Sequence, residues 1–301
     1  MPYPILELPK DAPIQLEQLG TKTKFWYESP TGQKMLFKEG RPGTGENWAE
    51  KVCCEICKLL GLPHADYELA LWNGHAGVVT PSFVPEGGRL VLGNELLARI
   101  VDDYDQSARF RARQHTVRIV MKIASASSVG FPLDWQSPEE ISDAAGVFVG
   151  YLLLDALVSN QDRHHENWGL VLVPDQGLFL APTFDHASSL GRNEKDKRRV
   201  ERLTTKDKGR TVQTYVERAR SAFFSSRKST KPLKTLEAFR EAAKIRPDAA
   251  DCWRERLSEI NPSQYMGIFD EMPGSEISVP ARDFACRMLE INTKRLLDFS
   301  F

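Results

Sequence analysis

Apolar residues recur along this chain with three different rhythms, and each rhythm marks a different kind of element. Over residues 46–60, Trp48, Val52, Ile56, Leu59 and Leu60 share one face at the 3.6-residue period of an amphipathic helix, which Gly61 and Pro63 bring to a stop. Short apolar runs bounded by turn residues read instead as strands. An aromatic run ending at Tyr27 and a second run over 34–38 flank Ser29-Pro30-Thr31-Gly32, and runs over 67–72 and 76–80 flank Asn73-Gly74. A further pair, 170–173 and 178–181, is joined by Pro174-Asp175-Gln176-Gly177 and predicts a hairpin. The third rhythm is almost unbroken hydrophobicity. It fills the middle of a helix expected to start at Ser137-Pro138-Glu139-Glu140, with Ser as N-cap and Pro at N1, and to run to about residue 159. That helix belongs at the centre of a large core. Helices are also expected over 95–103, 109–126, 233–245, 249–260, 263–271 and 281–299, and residues 1–13 form an extended, proline-rich lead-in. Strands gather in the first third and helices in the rest.

Composition narrows the class without naming a function. The 301 residues carry 41% hydrophobic and 27% charged side chains and a net charge of −1, the profile of a soluble globular protein. No global field argues for a nucleic-acid or membrane partner, so direct nucleic-acid binding is not expected. The longest nearly apolar run, 144–154, is too short to span a bilayer, and the N-terminus has no signal-peptide pattern. Five cysteines, three of them bunched at Cys53, Cys54 and Cys57, do not form a secreted disulfide framework. The three read as small buried apolar residues, since zinc would need a fourth ligand. A reduced, cytoplasmic protein is expected.

Chemistry concentrates around the 170–181 hairpin. A hairpin returns the chain to its starting edge, so Asn167 just before it and Asp185 just after it can meet, with Asp162 a few residues upstream. One aspartate to handle a proton, with an asparagine and an aspartate as hard oxygen ligands, suits magnesium-dependent phosphoryl transfer. Farther upstream, Lys38 ends an apolar strand from which it can point at phosphates. Glu50 and Glu55 stand at opposite edges of the apolar face of the following helix, and the wheel alone does not choose which pairs with Lys38. The basic stretch before Tyr27, including Thr21 and Lys22, offers hydroxyl, ammonium and backbone N–H groups that could cover a triphosphate. Residues 192–210 hold nine basic and four acidic side chains. They read as a mobile solvated loop, or more sharply as a recognition site for an acidic or phosphorylated partner.

The N-Q-D-R-H-H-E-N run over 160–167 and the later Asp185 resemble the HipA-like serine/threonine kinases, in particular their short, stand-alone CtkA-like members. More distantly, the run is similar to the D-R-H-x-x-N loop of phosphoinositide kinases. The resemblance implies a two-lobed, protein-kinase-like α+β fold, with a small β-rich N-lobe over 1–84 and a large helical C-lobe over 85–301. It implies Asp162 as catalytic base, His164 as the group orienting its loop, and Asn167 and Asp185 as metal ligands. It selects Glu50, eleven residues before the Gly-hydrophobic-Pro stop, as the partner of Lys38. It places adenine against the backbone near Phe83 and Val84. Asp185-His186-Ala187 departs from the D-F-G of ordinary protein kinases, so no switch built on a phenylalanine is implied.

The implied activity is ATP- and Mg2+-dependent transfer to a serine or threonine hydroxyl of a protein substrate, with autophosphorylation and a toxin role among the family's properties. An antitoxin-like partner goes with the toxin role. A phosphoinositide-like or other small-molecule kinase would use the same residues on another acceptor. A catalytically silent nucleotide-binding module would keep the fold without transfer, and a metal-dependent phosphohydrolase would need more histidine ligands than one loop supplies.

Overall fold

A computed structural model of the chain describes residues 1–16 and 23–298. Strands β1 (Ile5–Leu8), β2 (Gln15–Leu16), β3 (Lys24–Glu28) and β4 (Lys34–Glu39) precede helix α1 (Glu46–Leu60) and strands β5 (Glu68–Trp72) and β6 (His75–Pro81). These six strands form one sheet in the order β1-β5-β6-β4-β3-β2. Side chains alternate across a strand, so neighbouring residues of β4 serve opposite faces. Phe37 points into a small aromatic core, stacked 5.0 Å from Phe25 with Trp72 edge-on to the same ring. Lys38, one residue on, is buried elsewhere, in contact with Glu50 of α1. Helix α1 has the predicted bounds and ends at Gly61, whose φ of 67° is a left-handed conformation glycine adopts without steric cost.

Beyond β6 the chain forms β7 (Arg89–Leu92), α2 (Gly93–Ile100), α3 (Val117–Ala124), β8 (Val129–Gly130), α4 (Ala144–Val158), β9 (Gly169–Val173) and β10 (Gly177–Leu180). Helices α5 (Asp196–Thr204), α6 (Val212–Arg218), α7 (Thr235–Ile245), α8 (Pro247–Glu259), α9 (Pro262–Asp270) and α10 (Val279–Leu297) complete it. The second sheet runs β7-β9-β10-β8, and β9 and β10 are the expected hairpin, with Leu170 opposite Leu180. All fifteen residues of α4 are buried, and α3, α7, α8 and α10 pack around it. The helix is therefore a rigid axle, and its last turn delivers the chain to residue 160.

Local chemistry explains where the structure departs from the expected elements. Helix α4 starts at Ala144 rather than at 138, because Asp143 caps it by accepting from the Gly146 N–H at 2.8 Å. The Ser137 hydroxyl donates to the Ile141 carbonyl instead, at 2.7 Å, and closes a turn. Helix α3 likewise begins late, at the Thr116 cap. Part of the lead-in is strand β1, parallel to β5. The expected mobile loop over 192–210 contains α5, braced by ion pairs of Arg198 and Arg210 with Glu201 and of Arg202 with Glu194. The five arginines there thus each have a carboxylate partner within the chain.

Candidate active site

A cavity of about 1110 Å³ is lined by Lys38 from β4, by Phe83 and Val84 after β6, and by Asp162, Asn167 and Asp185 around the hairpin. The hairpin closes as expected: β9 begins two residues after Asn167, and Asp185 follows β10 by five. Lys38 is the centre of the arrangement. Its Nζ lies 3.1 Å from Glu50 Oε2 and 2.9 Å from Asp185 Oδ1, so one ammonium bridges two carboxylates. Burial acts to lower the Lys38 pKa, but the charges of Asp185 and Glu50 prevail and hold it well above its ordinary value. The ammonium is therefore charged at any working pH. It also sits over the Tyr67 ring, 5.5 Å from the centroid. Glu55, the other carboxylate left open by the helix wheel, pairs with Lys51 and Lys58.

The catalytic-loop candidates are fixed from below. Ser159, in a left-handed conformation with φ of 53°, ends α4 and turns the chain. Asp155, in the last turn of α4, accepts from Arg163 Nε at 2.9 Å and Nη2 at 2.7 Å, a two-pronged buried ion pair. Asp155 also accepts from the Asn160 amide at 2.8 Å. Arg163 donates a third bond, from Nη1 to the Asn167 carbonyl at 3.0 Å. The Asn167 side-chain amide donates to the Asp162 carbonyl at 2.8 Å, which commits its nitrogen and leaves Oδ1 as the atom for a cation. Asp162 is held in turn through its carboxylate, which accepts from Ser188 Oγ at 3.1 Å.

The expected orienting histidine is beside its target, with His164 Nε2 3.5 Å from Asp162 Oδ1 and Nδ1 accepting from the Glu166 N–H at 3.1 Å. Burial lowers its pKa. His165 faces away from the cleft, against Tyr104 and His115. Asp185 has φ of 58°, a left-handed conformation that aspartate tolerates better than most residues. The His186 N–H donates to Glu50 Oε1 at 2.6 Å, so α1 and the segment after the hairpin are tied by backbone as well as by Lys38. The His186 ring accepts at Nε2, with Thr183 Oγ1 at 2.8 Å and Arg163 Nη2 at 3.3 Å. Burial pushes its pKa well down, and the ring is neutral.

Phe83 and Val84 line the cleft, and Phe83 stacks on Phe184 with centroids 5.6 Å apart. The Ser82 hydroxyl accepts from the Val84 N–H at 3.3 Å and donates to the Val84 carbonyl at 3.0 Å, which holds that turn. Thr21 and Lys22, the expected phosphate contacts, lie outside the described residues. Cys53 and Cys57 are fully buried in the core. Cys54 Sγ lies 3.2 Å from Asp66 Oδ1, beside His64, but the Lys58 ammonium sits 3.0 Å from the same oxygen and supplies its counter-charge.

Residue patterns alone passed over Asp155, Arg163, His186, Ser188 and Arg192. One signal was legible: Asp155 is the lone charge in the apolar run 144–158, and a buried carboxylate demands a partner. The others lie within the motif or just after it, and only the fold shows which way they turn.

No protein-family model matches the chain, and no curated protein sequence matches it. Solved structures do. A proinflammatory kinase, CtkA of Helicobacter pylori, superposes with a TM-score of 0.72 at 17% identity, over 99% of this chain and 100% of that one. A chain of the HipA–HipB–operator DNA complex of Shewanella oneidensis MR-1 gives 0.52 at 13% identity, over 98% of this chain and 70% of that one. At these identities the likeness is one of fold. The chain has a two-lobed, kinase-like α+β fold, shared with the proteins that its sequence resembles.

Proposed function

We propose that the chain is a kinase that moves the terminal phosphoryl group of ATP to a serine or threonine hydroxyl of a protein, with magnesium. The observation that carries this reading is Lys38 held between Glu50 and Asp185, in the cavity that Asp162 and Asn167 also line. Residues 1–84 then act as the nucleotide-phosphate lobe, and residues 85–301 carry the catalytic loop and metal ligands. Asp185 and Asn167 suit a hard divalent cation, since both offer oxygen, and the Lys38 ammonium beside Asp185 supports a place for positive charge there. Bound magnesium supplies charge neutralisation across the phosphates during transfer.

Lys38, kept in place by Glu50, donates to the phosphates. Asp162 accepts or orients the proton of the attacking hydroxyl, and His164 keeps the Asp162 carboxylate aimed. Phe83, Phe184 and the backbone near Val84 hold the adenine. HipA stands beside HipB in its complex, and an antitoxin-like partner for this chain belongs to the same reading.

Incubation with labelled ATP and magnesium, alone and with cell lysate, followed by phosphosite mapping, tests both transfer and acceptor. Label is expected on serine or threonine. Asp162→Asn should lose transfer by a factor of roughly a thousand or more with its melting curve unchanged, and normal turnover of that variant would overturn the assignment.

A further inference from the structure

Asp162 needs its carboxylate aimed at the acceptor hydroxyl before transfer, and the residue motif supplies only part of what aims it. The rest comes from a segment outside the motif. Ser188 lies three residues after Asp185 and lines the cleft. Its hydroxyl donates to Asp162 Oδ2 at 3.1 Å and accepts from Arg192 Nη2 at 3.2 Å. The other nitrogen of that guanidinium, Nη1, pairs with Glu46 Oε1. Glu46 is the first residue of α1 and stands one helical turn before Glu50, the partner of Lys38. Glu46 also accepts from Arg41, through the backbone N–H at 2.9 Å and through Nη1 at 3.2 Å.

A single chain of contacts therefore runs from α1 on the nucleotide side, through Arg192 and Ser188, to Asp162 on the acceptor side. Both middle members are rigidly mounted. The Leu190 N–H donates to the Val158 carbonyl at the end of α4 at 2.8 Å, and Arg199 of α5 donates to the Arg192 carbonyl at 3.0 Å. Arg192 is 9% exposed and Glu46 3%, so water competes little for their bonds. Arginine is the residue suited to this place, because one planar fork can hold a carboxylate with one nitrogen and a hydroxyl with the other.

We propose that Ser188 is a positioning residue for Asp162, and that Arg192 sets Ser188 according to where α1 stands. The inference rests on the kinase reading. When α1 holds Lys38 for the phosphates, the same helix, through Glu46 and Arg192, locks Ser188 against the base. Nucleotide-side order is thereby passed to the acceptor side without passing through the motif.

The test separates kcat from KM, using the best acceptor from a serine/threonine peptide library. Ser188→Ala should lower kcat about tenfold to a hundredfold, the scale of one hydrogen bond to a charged group, and leave KM for ATP within about twofold. Ser188→Thr, which keeps the hydroxyl, should recover most of the rate. Arg192→Gln should lower kcat as well, and Arg192→Lys should not restore it. Melting curves identify any variant whose loss comes from unfolding. Full turnover by Ser188→Ala, or equal losses in the Ala and Thr variants, would overturn the inference. Labelled phosphate found on Ser188 of the wild-type protein would also overturn it, by making that hydroxyl an acceptor. A folded wild-type protein that transfers phosphate to neither itself, peptides nor small alcohols would overturn the kinase reading instead.

Discussion

At the scale of single residues, the site shows how one group answers several demands. Asp185 combines a left-handed backbone with a carboxylate that meets Lys38, and asparagine is the replacement that keeps the first and removes the second. Asp185→Asn should therefore melt like the wild type while its ATP affinity in magnesium falls about tenfold or more, and calorimetry with and without magnesium reads the difference. His115 makes a second prediction. It is fully buried, stacked on Phe223 at 4.2 Å, and its Nε2 accepts from the Trp168 indole N–H at 3.1 Å. Burial, opposed only in part by the Ala222 carbonyl, pushes its pKa down to about 3. The folded protein thus keeps this ring neutral where the unfolded chain would take a proton. Its stabilising effect is complete above the ordinary histidine value of about 6.5 and is lost progressively as pH falls toward 3. Urea midpoints should decline from pH 7 to pH 4, with a shallower slope in His115→Gln.

At the scale of elements, α4 and the loop after it behave as one unit. The Asp155–Arg163 pair, with side chains 2% and 1% exposed, fastens the candidate catalytic loop to the last turn of the helix. Arg163→Leu should cost about 3–5 kcal/mol in urea unfolding, because it strands a buried carboxylate, whereas Arg163→Leu with Asp155→Leu should cost much less. The elements most legible in the sequence were those whose signals agree. Helix α1 has amphipathic period, glycine stop and proline together, and its bounds were read to the residue. The β9–β10 hairpin had its turn and both apolar runs. Helix α4 was legible as a buried element but not in its start, because Ser137-Pro138-Glu139-Glu140 imitates a cap while Asp143 provides the real one. Helix α5 was missed because its apolar content is low and its stability comes from ion pairs with neighbours not adjacent in sequence. The candidate site was readable as far as the motif and the strand lysine reach. Ser188 and Arg192, which also line the cleft, and the supports Arg163 and His186 depend on which way the backbone turns, and no spacing reports that.

At the scale of the whole molecule, the two sheets and the helical body meet around one large cleft, and among the described residues no helix is long and apolar enough to cross a membrane. Binding that favours the folded state raises its stability by mass action. Saturating Mg-ATP at a hundred times its dissociation constant should add about 2.7 kcal/mol, visible as an upward shift in melting temperature. Asp185→Asn should abolish most of that shift while binding-independent stability is largely kept, whereas Lys38→Ala should abolish the shift and also lower the ligand-free melting temperature, because it strands the buried Glu50 carboxylate.

The ammonium of Lys38 stands between two acids and neutralises only one of their two negative charges. We read it as a placeholder on the Asp185 side: a dication that took Oδ1 would displace the ammonium, whose donors then turn to the phosphates while Glu50 retains its grip. Metal and nucleotide should for this reason load synergistically, each strengthening the other's hold by the same factor. ATP titrations over a magnesium series, matched by magnesium titrations over an ATP series, would show that symmetry, and independent loading would show that the lysine had never been keeping the seat.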